Sequence, residues 1–204
     1  MQGSASSLLS ARDLACRRGD RLLFRGLSFD LTGGEALHVT GANGTGKSTL
    51  IRALAGLTKP FAGDVRLHGE VALLDDRPAL DPDLTLTRAI EFWDQIDRNG
   101  DPNCAAVSML GLDSLLDIPV RYLSTGQKKR AALAVLMGSD STIWLLDEPL
   151  SGLDTDAIAI VAERIANHVE LGRIALIASH QPLAIEGLRT LAIEDFAPEP
   201  EPLA

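Results

Sequence analysis

The stretch GANGTGKST, residues 41–49, decides how this chain folds. It follows an apolar run, EALHVTG (35–41), that is predicted as a buried strand, and it leads into a predicted helix, KSTLIRALAGL (47–57). The pattern G-x-x-x-x-G-K-[ST] is matched in full by Gly41, Gly46, Lys47 and Ser48. Glycines let such a loop wrap with its N–H groups inward, and the helix start adds partial positive charge. The sequence therefore predicts a phosphate-binding loop between a strand and a helix.

Each residue of the loop has a predicted task in a nucleotide site. Lys47 would reach the β- and γ-phosphates, and the Ser48 hydroxyl would hold Mg²⁺. The remaining contacts to the nucleotide are assigned to Gly41, Ala42, Asn43, Gly44, Thr45, Gly46 and Thr49. The alternative is a glycine-rich turn that merely precedes an amphipathic helix, and the complete pattern in a strand–loop–helix setting disfavours it.

Strand-like and helix-like patterns alternate after residue 35, which predicts an open parallel sheet with helices on both faces. The short apolar runs IWLLD (143–147) and RIALIAS (173–179) are typical of central parallel strands. Gly172 stands where the helix between them would end. That helix is predicted from apolar residues at helical spacing, namely Ile158, Val161, Ile165 and Val169.

Two regions, 12–34 and 78–123, depart from this alternation. Residues 12–34 are predicted to pair as an antiparallel β edge, and DVRLHGEVALLD (64–75) as two short strands around Gly69. A small helical insertion is predicted over 78–123. The Pro/Glu-rich tail 197–204 is predicted to be disordered.

Composition limits the class of function. The 204 residues carry a net charge of −9, which argues against a nucleic-acid-binding surface because phosphate neutralisation needs clustered Lys and Arg. We expect no secretory signal and no transmembrane segment, so the chain should remain cytosolic unless a partner holds it at a membrane. Cys16 and Cys104 lack partners at metal-ligand spacing and are expected to be ordinary thiols.

An acidic pair, Asp147 and Glu148, follows the buried run TIWLL. Ligands bind at the carboxyl ends of strands in a parallel sheet, so this pair is expected beside the phosphate loop. Asp147 would contact Mg²⁺ directly or through water, and Glu148 would orient and deprotonate an attacking water. A solvated acidic turn is the alternative for the pair taken alone.

A second anion-binding surface is predicted at YLSTGQKKR (122–130), which precedes a helix. Ser124 and Gln127 stand at the spacing of a capping box, and they can form one while the helix start, with Gly126, also binds an anion.

Taken in order, these motifs resemble those of the nucleotide-binding subunits of ABC transporters. LSTGQ matches the signature LSGGQ with Thr125 in place of the first glycine, SGLD (151–154) resembles the D-loop with Asp154 as its acidic residue, and His180 stands at the switch histidine. The resemblance covers roughly 12–195. It implies an α/β, P-loop NTPase domain of the ABC type over 11–196, with a parallel core sheet, an antiparallel β edge and a helical subdomain at about 78–138.

The resemblance also implies a mechanism. Two copies would pair head-to-tail as a homodimer and sandwich two ATP molecules with Mg²⁺. Each ATP would lie between the phosphate loop of one copy and Ser124, Gly126 and Gln127 of the other, with Asp154 nearby. Lys47, Glu148 and His180 would be catalytic, and hydrolysis would reopen the dimer and act on integral membrane permease subunits.

Two positions depart from the family pattern. The glutamine that usually follows the strand after the phosphate helix is absent, and Asp76 best occupies its place. The aromatic residue that usually stacks on adenine is also missing, and Arg18 is the closest match. A guanidinium can stack on a ring, and a solvated arginine is equally plausible.

Within the superfamily, LSTGQKKRAALA, WLLDEPLSGLD and SHQPL (179–183) look most like the ATPase subunit of the cytochrome c biogenesis system, a haem exporter. This implies a peripheral subunit at the cytoplasmic face of a bacterial inner membrane, where hydrolysis helps to release haem-loaded chaperone. No direct haem contact is expected, since His38, His68 and His168 are scattered. Two alternatives stay open, a soluble ABC-type ATPase that drives cofactor assembly without transport and a module that clamps ATP but barely hydrolyses it.

Overall fold

The structure is a computed structural model that describes residues 8–96, 104–183 and 185–198. From residue 199 onward, the tail that the sequence predicts to be disordered lies outside the described residues.

A five-stranded parallel sheet forms the centre of the fold, in the order β5-β6-β7-β3-β8. Its strands are β3 (Ala36–Thr40), β5 (Val71–Leu74), β6 (Ile143–Asp147), β7 (Ile174–Ala178) and β8 (Arg189–Ala192). Every residue of β6 and β7 is buried, as expected for central parallel strands that are covered on both faces. The predicted parallel sheet is confirmed.

The predicted antiparallel pair is also confirmed, and it belongs to a second sheet. β1 (Leu8–Arg18) and β2 (Arg21–Thr32) pair antiparallel, and β4 (Ala62–His68) lies on the other side of β1. The two strands predicted around Gly69 are present but lie in different sheets, because β4 joins the antiparallel sheet and β5 joins the parallel one. Gly69, with φ of 132°, lies in the link between them.

Five α-helices surround the sheets in the described ranges. They are α1 (Lys47–Leu54), α2 (Leu86–Ile96), α3 (Cys104–Met109), α4 (Thr125–Gly138) and α5 (Thr155–Glu170). The predicted helix before Gly172 is therefore confirmed, and Gly172 follows its end with φ of 77°. Helices α2, α3 and α4 lie in the region that the sequence assigns to the helical subdomain.

Successive side chains of β6 point to opposite faces of the parallel sheet and belong to two separate hydrophobic cores. Ile143 and Leu145 face the antiparallel sheet and α1, whereas Trp144 and Leu146 face the helices α2 to α5. The parallel sheet thus holds the phosphate loop and α1 on one side and the helical region on the other. Within the described ranges, no helix is long and apolar enough to cross a membrane.

Candidate nucleotide-binding and hydrolysis site

The loop between β3 and α1 adopts the tight path that its glycines predict. Gly41 has φ of 148°, and a Cβ there would lie 2.7 Å from Cγ2 of Ile193. Gly46 has φ of 115°, and a Cβ there would lie 3.0 Å from Cδ1 of Phe24. A side chain is therefore strained at both positions, because the backbone conformation disfavours it and the added Cβ would crowd its neighbours. What remains is a loop whose main chain is the surface offered to a ligand.

Lys47 begins α1 and turns back over this loop. Its ammonium donates to the carbonyl oxygens of Gly41, at 2.7 Å, and Ala42, at 3.2 Å. The same Nζ lies 3.7 Å from Oε1 of Glu148, although Lys47 is only 6% exposed. One buried cation thus stands between the loop and the acidic pair.

Asp147, the last residue of β6, carries an incompletely satisfied carboxylate. Its Oδ1 is buried and has no hydrogen-bond partner among the described residues. Burial raises the pKa of this carboxyl, the Ser48 hydroxyl opposes this through a hydrogen bond, and the negative charge of Glu148 raises it further. A free carboxylate oxygen beside a hydroxyl fits Mg²⁺, which takes one or two protein oxygens and otherwise keeps water and phosphate.

Glu148 has an unusual main-chain conformation. Its φ is 48°, in a region of main-chain conformation that residues other than glycine rarely adopt and that costs about 1–3 kcal/mol. Its N–H donates to the carbonyl of Ala178 in β7 at 2.7 Å, and its carbonyl accepts a hydrogen bond from Lys129 at 2.6 Å. The surrounding structure therefore holds the strained residue from two sides.

The carboxylate of Glu148 is oriented by residues that follow β7. Nδ1–H of His180 donates to Oε2 at 2.9 Å, and the Ser179 hydroxyl donates to the same oxygen at 3.4 Å. Below them, Nε2–H of the buried His38 donates to the Ser179 carbonyl at 3.1 Å, and burial lowers the pKa of His38. The structure thus brings Glu148, Lys47 and His180 together, as the sequence predicts.

A cleft of about 160 Å³ opens over Lys47 and Glu148, and His180 lies outside its lining. Its lining includes Arg18 and Leu23 from the antiparallel sheet, together with Asn43, Gly44, Gly46, Lys47, Ser48, Thr49 and Glu148. Arg18 is exposed and borders the loop, so both of its sequence interpretations, stacking on a base or solvation, stay predictions.

The signature residues lie elsewhere on the molecule and do not line this cleft. At the start of α4, the N–H of Gln127 donates to the Ser124 hydroxyl at 3.2 Å, and the N–H of Ser124 donates to the Gln127 side chain at 2.8 Å. The predicted capping box is therefore confirmed. A Cβ on Gly126 would lie 3.0 Å from the carbonyl of Gly152, so glycine allows α4 to approach SGLD closely.

Asp154 caps the next helix. One carboxylate oxygen accepts from the N–H of Ala157 at 2.9 Å, and the other pairs with the guanidinium of Arg130. These contacts give Asp154 a structural task at the start of α5, and its contact with nucleotide stays a prediction.

Two contacts at the site involve residues that the sequence motifs did not identify. Glu194 accepts a hydrogen bond from the N–H of Ala42 at 2.7 Å, across 152 positions of sequence. Lys129 reaches Glu148 from α4, although it looks like its basic neighbours in the sequence. Burial lowers the pKa of Lys129, and the carboxylates of Asp147, Glu148, Asp76 and Asp75 oppose that effect. No local pattern could have found either contact, because both arise from tertiary proximity.

Several known proteins resemble this chain in sequence and in fold. A family model described as ABC transporter matches residues 24–151. The cytochrome c biogenesis ATP-binding export protein CcmA of Novosphingobium aromaticivorans is 57% identical over 190 residues, covering 93% of this chain and 97% of the relative. The protein of the same name from Escherichia coli K12 is 38% identical, covering 87% and 91% respectively.

Solved structures agree with this assignment. An ABC transporter ATP-binding protein from Pyrococcus furiosus superimposes with a TM-score of 0.79 at 20% identity, covering 94% of this chain and all of that one, and so shows the shared fold. An inward-facing ABC transporter of the metal-chelate type gives a TM-score of 0.70 at 26% identity, covering 86% and 74% respectively. The chain therefore belongs to the ATP-binding proteins of ABC transporters and, within them, to the cytochrome c biogenesis ATP-binding export proteins.

Proposed function

We propose that two copies of this ABC ATPase enclose ATP and Mg²⁺ between them and hydrolyse the nucleotide to drive an export step in c-type cytochrome biogenesis. The observation that carries the proposal is the meeting of a glycine loop, a buried lysine and a glutamate at one cleft, with a histidine hydrogen-bonded to that glutamate. Loop, acid pair and histidine follow three neighbouring strands, β3, β6 and β7, at the edge where ligands bind.

The loop would bind the phosphates through its main-chain N–H groups and the start of α1. Lys47 supports this because its ammonium is already held at the centre of the loop by two carbonyl oxygens. From there it faces the cleft and would attract the β- and γ-phosphates. Ser48 and Asp147 would hold Mg²⁺, which when bound neutralises charge that develops on the phosphates.

Glu148 would act as the general base. Its Oε2 is occupied by His180 and Ser179, whereas Oε1 lies toward Lys47 and the cleft. In our proposal Oε1 accepts the proton of the water that attacks the γ-phosphate, and His180 keeps the carboxylate in position. A histidine bound to the carboxylate at 2.9 Å would make that position dependent on the loop after β7.

A second copy is needed because one chain grips the substrate on one side only. The cleft holds about 160 Å³, below the roughly 300–1,000 Å³ of pockets that enclose small ligands. Ser124 and Gly126 lie outside it, at a helix start whose first N–H groups suit an anion. We infer that this surface of the second copy closes the cleft over the phosphates.

A groove at the β5 edge of the parallel sheet, between α1 and the helical region, would suit an integral membrane partner. Its volume is about 620 Å³, and its apolar lining includes Leu57, Leu73, Trp93 and Val135. At its rim Arg52 of α1 pairs with Asp75 at 2.8 Å, so a segment in the groove would touch the helix that begins with Lys47. We propose that a permease subunit docks here, holding the chain at the cytoplasmic face of the bacterial inner membrane.

The cargo follows from the relatives rather than from the cleft. Those relatives are named for export in cytochrome c biogenesis, and the resemblance to a haem exporter supports haem, free or carried by a chaperone, as the species released. We propose that this chain does not touch haem and acts only through its membrane partners.

Phosphate release by the chain assembled with its membrane subunits tests the enzymatic part. Glu148→Gln should slow turnover by roughly 100-fold or more while ATP-bound dimers accumulate, because binding is kept and proton transfer is lost. Glu163→Gln, on the exposed face of α5, is the matched control and should behave as wild type. Unchanged turnover by Glu148→Gln would remove Glu148 from its role.

Fractionation tests the cellular part. The chain should sediment with membranes only when integral partners are co-expressed, and Trp93→Asp in the groove should abolish that sedimentation. Sedimentation that does not depend on partners would contradict the proposed docking, whereas a fully soluble chain that hydrolyses ATP with its partners present would favour the assembly ATPase instead.

A further inference from the structure

Three consecutive basic residues of α4 have three different tasks. Lys128 turns back toward the carbonyl of Arg121, at 3.5 Å, and Arg130 pairs with Asp154. Lys129 alone of the three points to the acidic pair, where its ammonium donates to the main-chain carbonyl of Glu148 at 2.6 Å. The middle lysine is thus singled out by geometry.

The carbonyl that Lys129 holds belongs to the strained residue. With φ of 48°, Glu148 needs contacts that keep its peptide groups in place. The N–H donates to the carbonyl of Ala178 in β7 at 2.7 Å, and the carbonyl accepts from the N–H of Ser151, in the turn that follows, at 3.2 Å. Lys129 adds a second and shorter hydrogen bond to this carbonyl, and it does so from another element and from a half-buried position, where a charge-assisted hydrogen bond is strong.

The ammonium also lies in an acidic neighbourhood. It is attracted by the carboxylates of Asp147 and Glu148, and by Asp76 and Asp75 after β5. This cation comes from α4, whereas the acids come from the ends of β5 and β6. Lys129 is therefore a bridge between the helical region and the parallel sheet at the point where hydrolysis is proposed.

We propose that Lys129 is a positioning residue for ATP hydrolysis, which holds the main chain of Glu148 and so ties α4 to the general base of the same chain. The inference rests on the proposed role of Glu148. Lys129 lies five residues after Ser124, or about 7.5 Å along the helix. A shift of the start of α4, where the nucleotide of the second copy is proposed to bind, would therefore move Lys129 and, through it, the main chain of Glu148.

Steady-state phosphate release, with the chain assembled with its membrane subunits, tests this inference. Lys129→Met should lower kcat by roughly 10-fold or more, with KM and ATP-driven dimerisation unchanged, because the base is misplaced while the phosphate contacts remain. Lys129→Arg, which keeps a charged donor, should restore most of the rate. Arg66→Met, at an exposed basic position of β4 outside both nucleotide surfaces, is the control and should match wild type.

A double substitution separates positioning from general damage. In a Glu148→Gln background, Lys129→Met should change the residual rate by less than about twofold, because its effect passes through the carboxylate already removed. Wild-type kcat in Lys129→Met, or an equal further loss in the double variant, would overturn the inference. If Lys129→Met does not fold, the kcat of Lys129→Gln relative to Lys129→Arg decides in the same way.

These outcomes are distinct from failure of the proposed function. If Glu148→Gln hydrolyses ATP normally, the role of Glu148 is wrong and the inference falls with it. If Glu148→Gln is inactive and Lys129→Met is fully active, only the role of Lys129 is wrong.

Discussion

Lowering the pH should destabilise this fold through one buried histidine. His168, in the last turn of α5, is 3% exposed, and its ring stacks on Trp144 with centroids 3.8 Å apart. Its Nε2–H donates to the carbonyl of Ile174 at 3.1 Å. Burial, and then the positive charge of Arg173, lower the pKa of His168 from 6.5 to about 4. The folded chain therefore keeps this ring neutral at a pH where the unfolded chain protonates it.

The sign and size of the effect follow from linkage. Because the unfolded state binds the extra proton, this contribution is fully present above pH 6.5 and declines as the pH falls toward about 4. The two pKa values, 6.5 and about 4, differ by about 2.5, and each pKa step is worth 1.36 kcal/mol. The loss should reach about 2 kcal/mol at pH 5 and about 3 kcal/mol below pH 4.

Urea unfolding followed by far-UV circular dichroism at several values between pH 7.5 and pH 5 measures this loss. His168→Leu removes the titration and should lose about 2 kcal/mol less than wild type over that range. Its stability at pH 7.5 should be lower, because the hydrogen bond to Ile174 is gone. His68→Gln, at an exposed position of β4, is the control and should keep the wild-type slope. Equal pH slopes in wild type and His168→Leu would refute the reasoning.

Two further substitutions test the loop and the signature helix. Gly46→Ala should lower the free energy of unfolding by about 2–4 kcal/mol, because alanine disfavours the positive φ and its Cβ would lie 3.0 Å from Phe24. Gly44→Ala, where φ is 82° but space is open, should lower it by about 1 kcal/mol. Equal losses in urea unfolding would contradict this explanation. Ser124→Ala should lower the free energy of unfolding by about 1 kcal/mol because it removes the α4 cap, and it should also weaken ATP-driven dimerisation of Glu148→Gln chains. Dimerisation at the strength of Glu148→Gln alone, measured by size-exclusion chromatography, would show that Ser124 is not part of the second nucleotide surface.

The elements that carry motifs were predictable from sequence, because each combines an apolar run with a strong local signal. β3 ends in the glycine loop, β6 ends in the acid pair, and α5 ends before Gly172. β8 (Arg189–Ala192) escaped prediction because it is short, starts with a charged residue and is half-exposed beside β3. Its place in the sheet depends on hydrogen bonds to β3, which no local pattern encodes.

The site divides in the same way. Local motifs identify Lys47 and Glu148, the family resemblance adds His180, and strand order explains why the three meet. Glu194 and Lys129 were not predictable, since an exposed acid and one of three adjacent basic residues carry no distinctive signal. What they contribute is support for the main chain, through Ala42 and Glu148, and main-chain support is recognised only from tertiary structure.

The balance of charge explains why the site needs several sources of positive potential. Asp147, at the end of β6, lies near Glu148 and Asp76, and two cations act on this cluster: Lys47, 3.7 Å from Glu148, and Lys129, which all three carboxylates attract. Three carboxylates against two ammonium groups leave a net negative charge, which alone would repel a triphosphate. Under the proposed function, main-chain N–H groups of the loop and of the start of α1 would supply part of the attraction, and the proposed Mg²⁺ would supply the rest. On this reasoning the glycines are as necessary for binding as the lysine, because only they allow the main chain to face the phosphates.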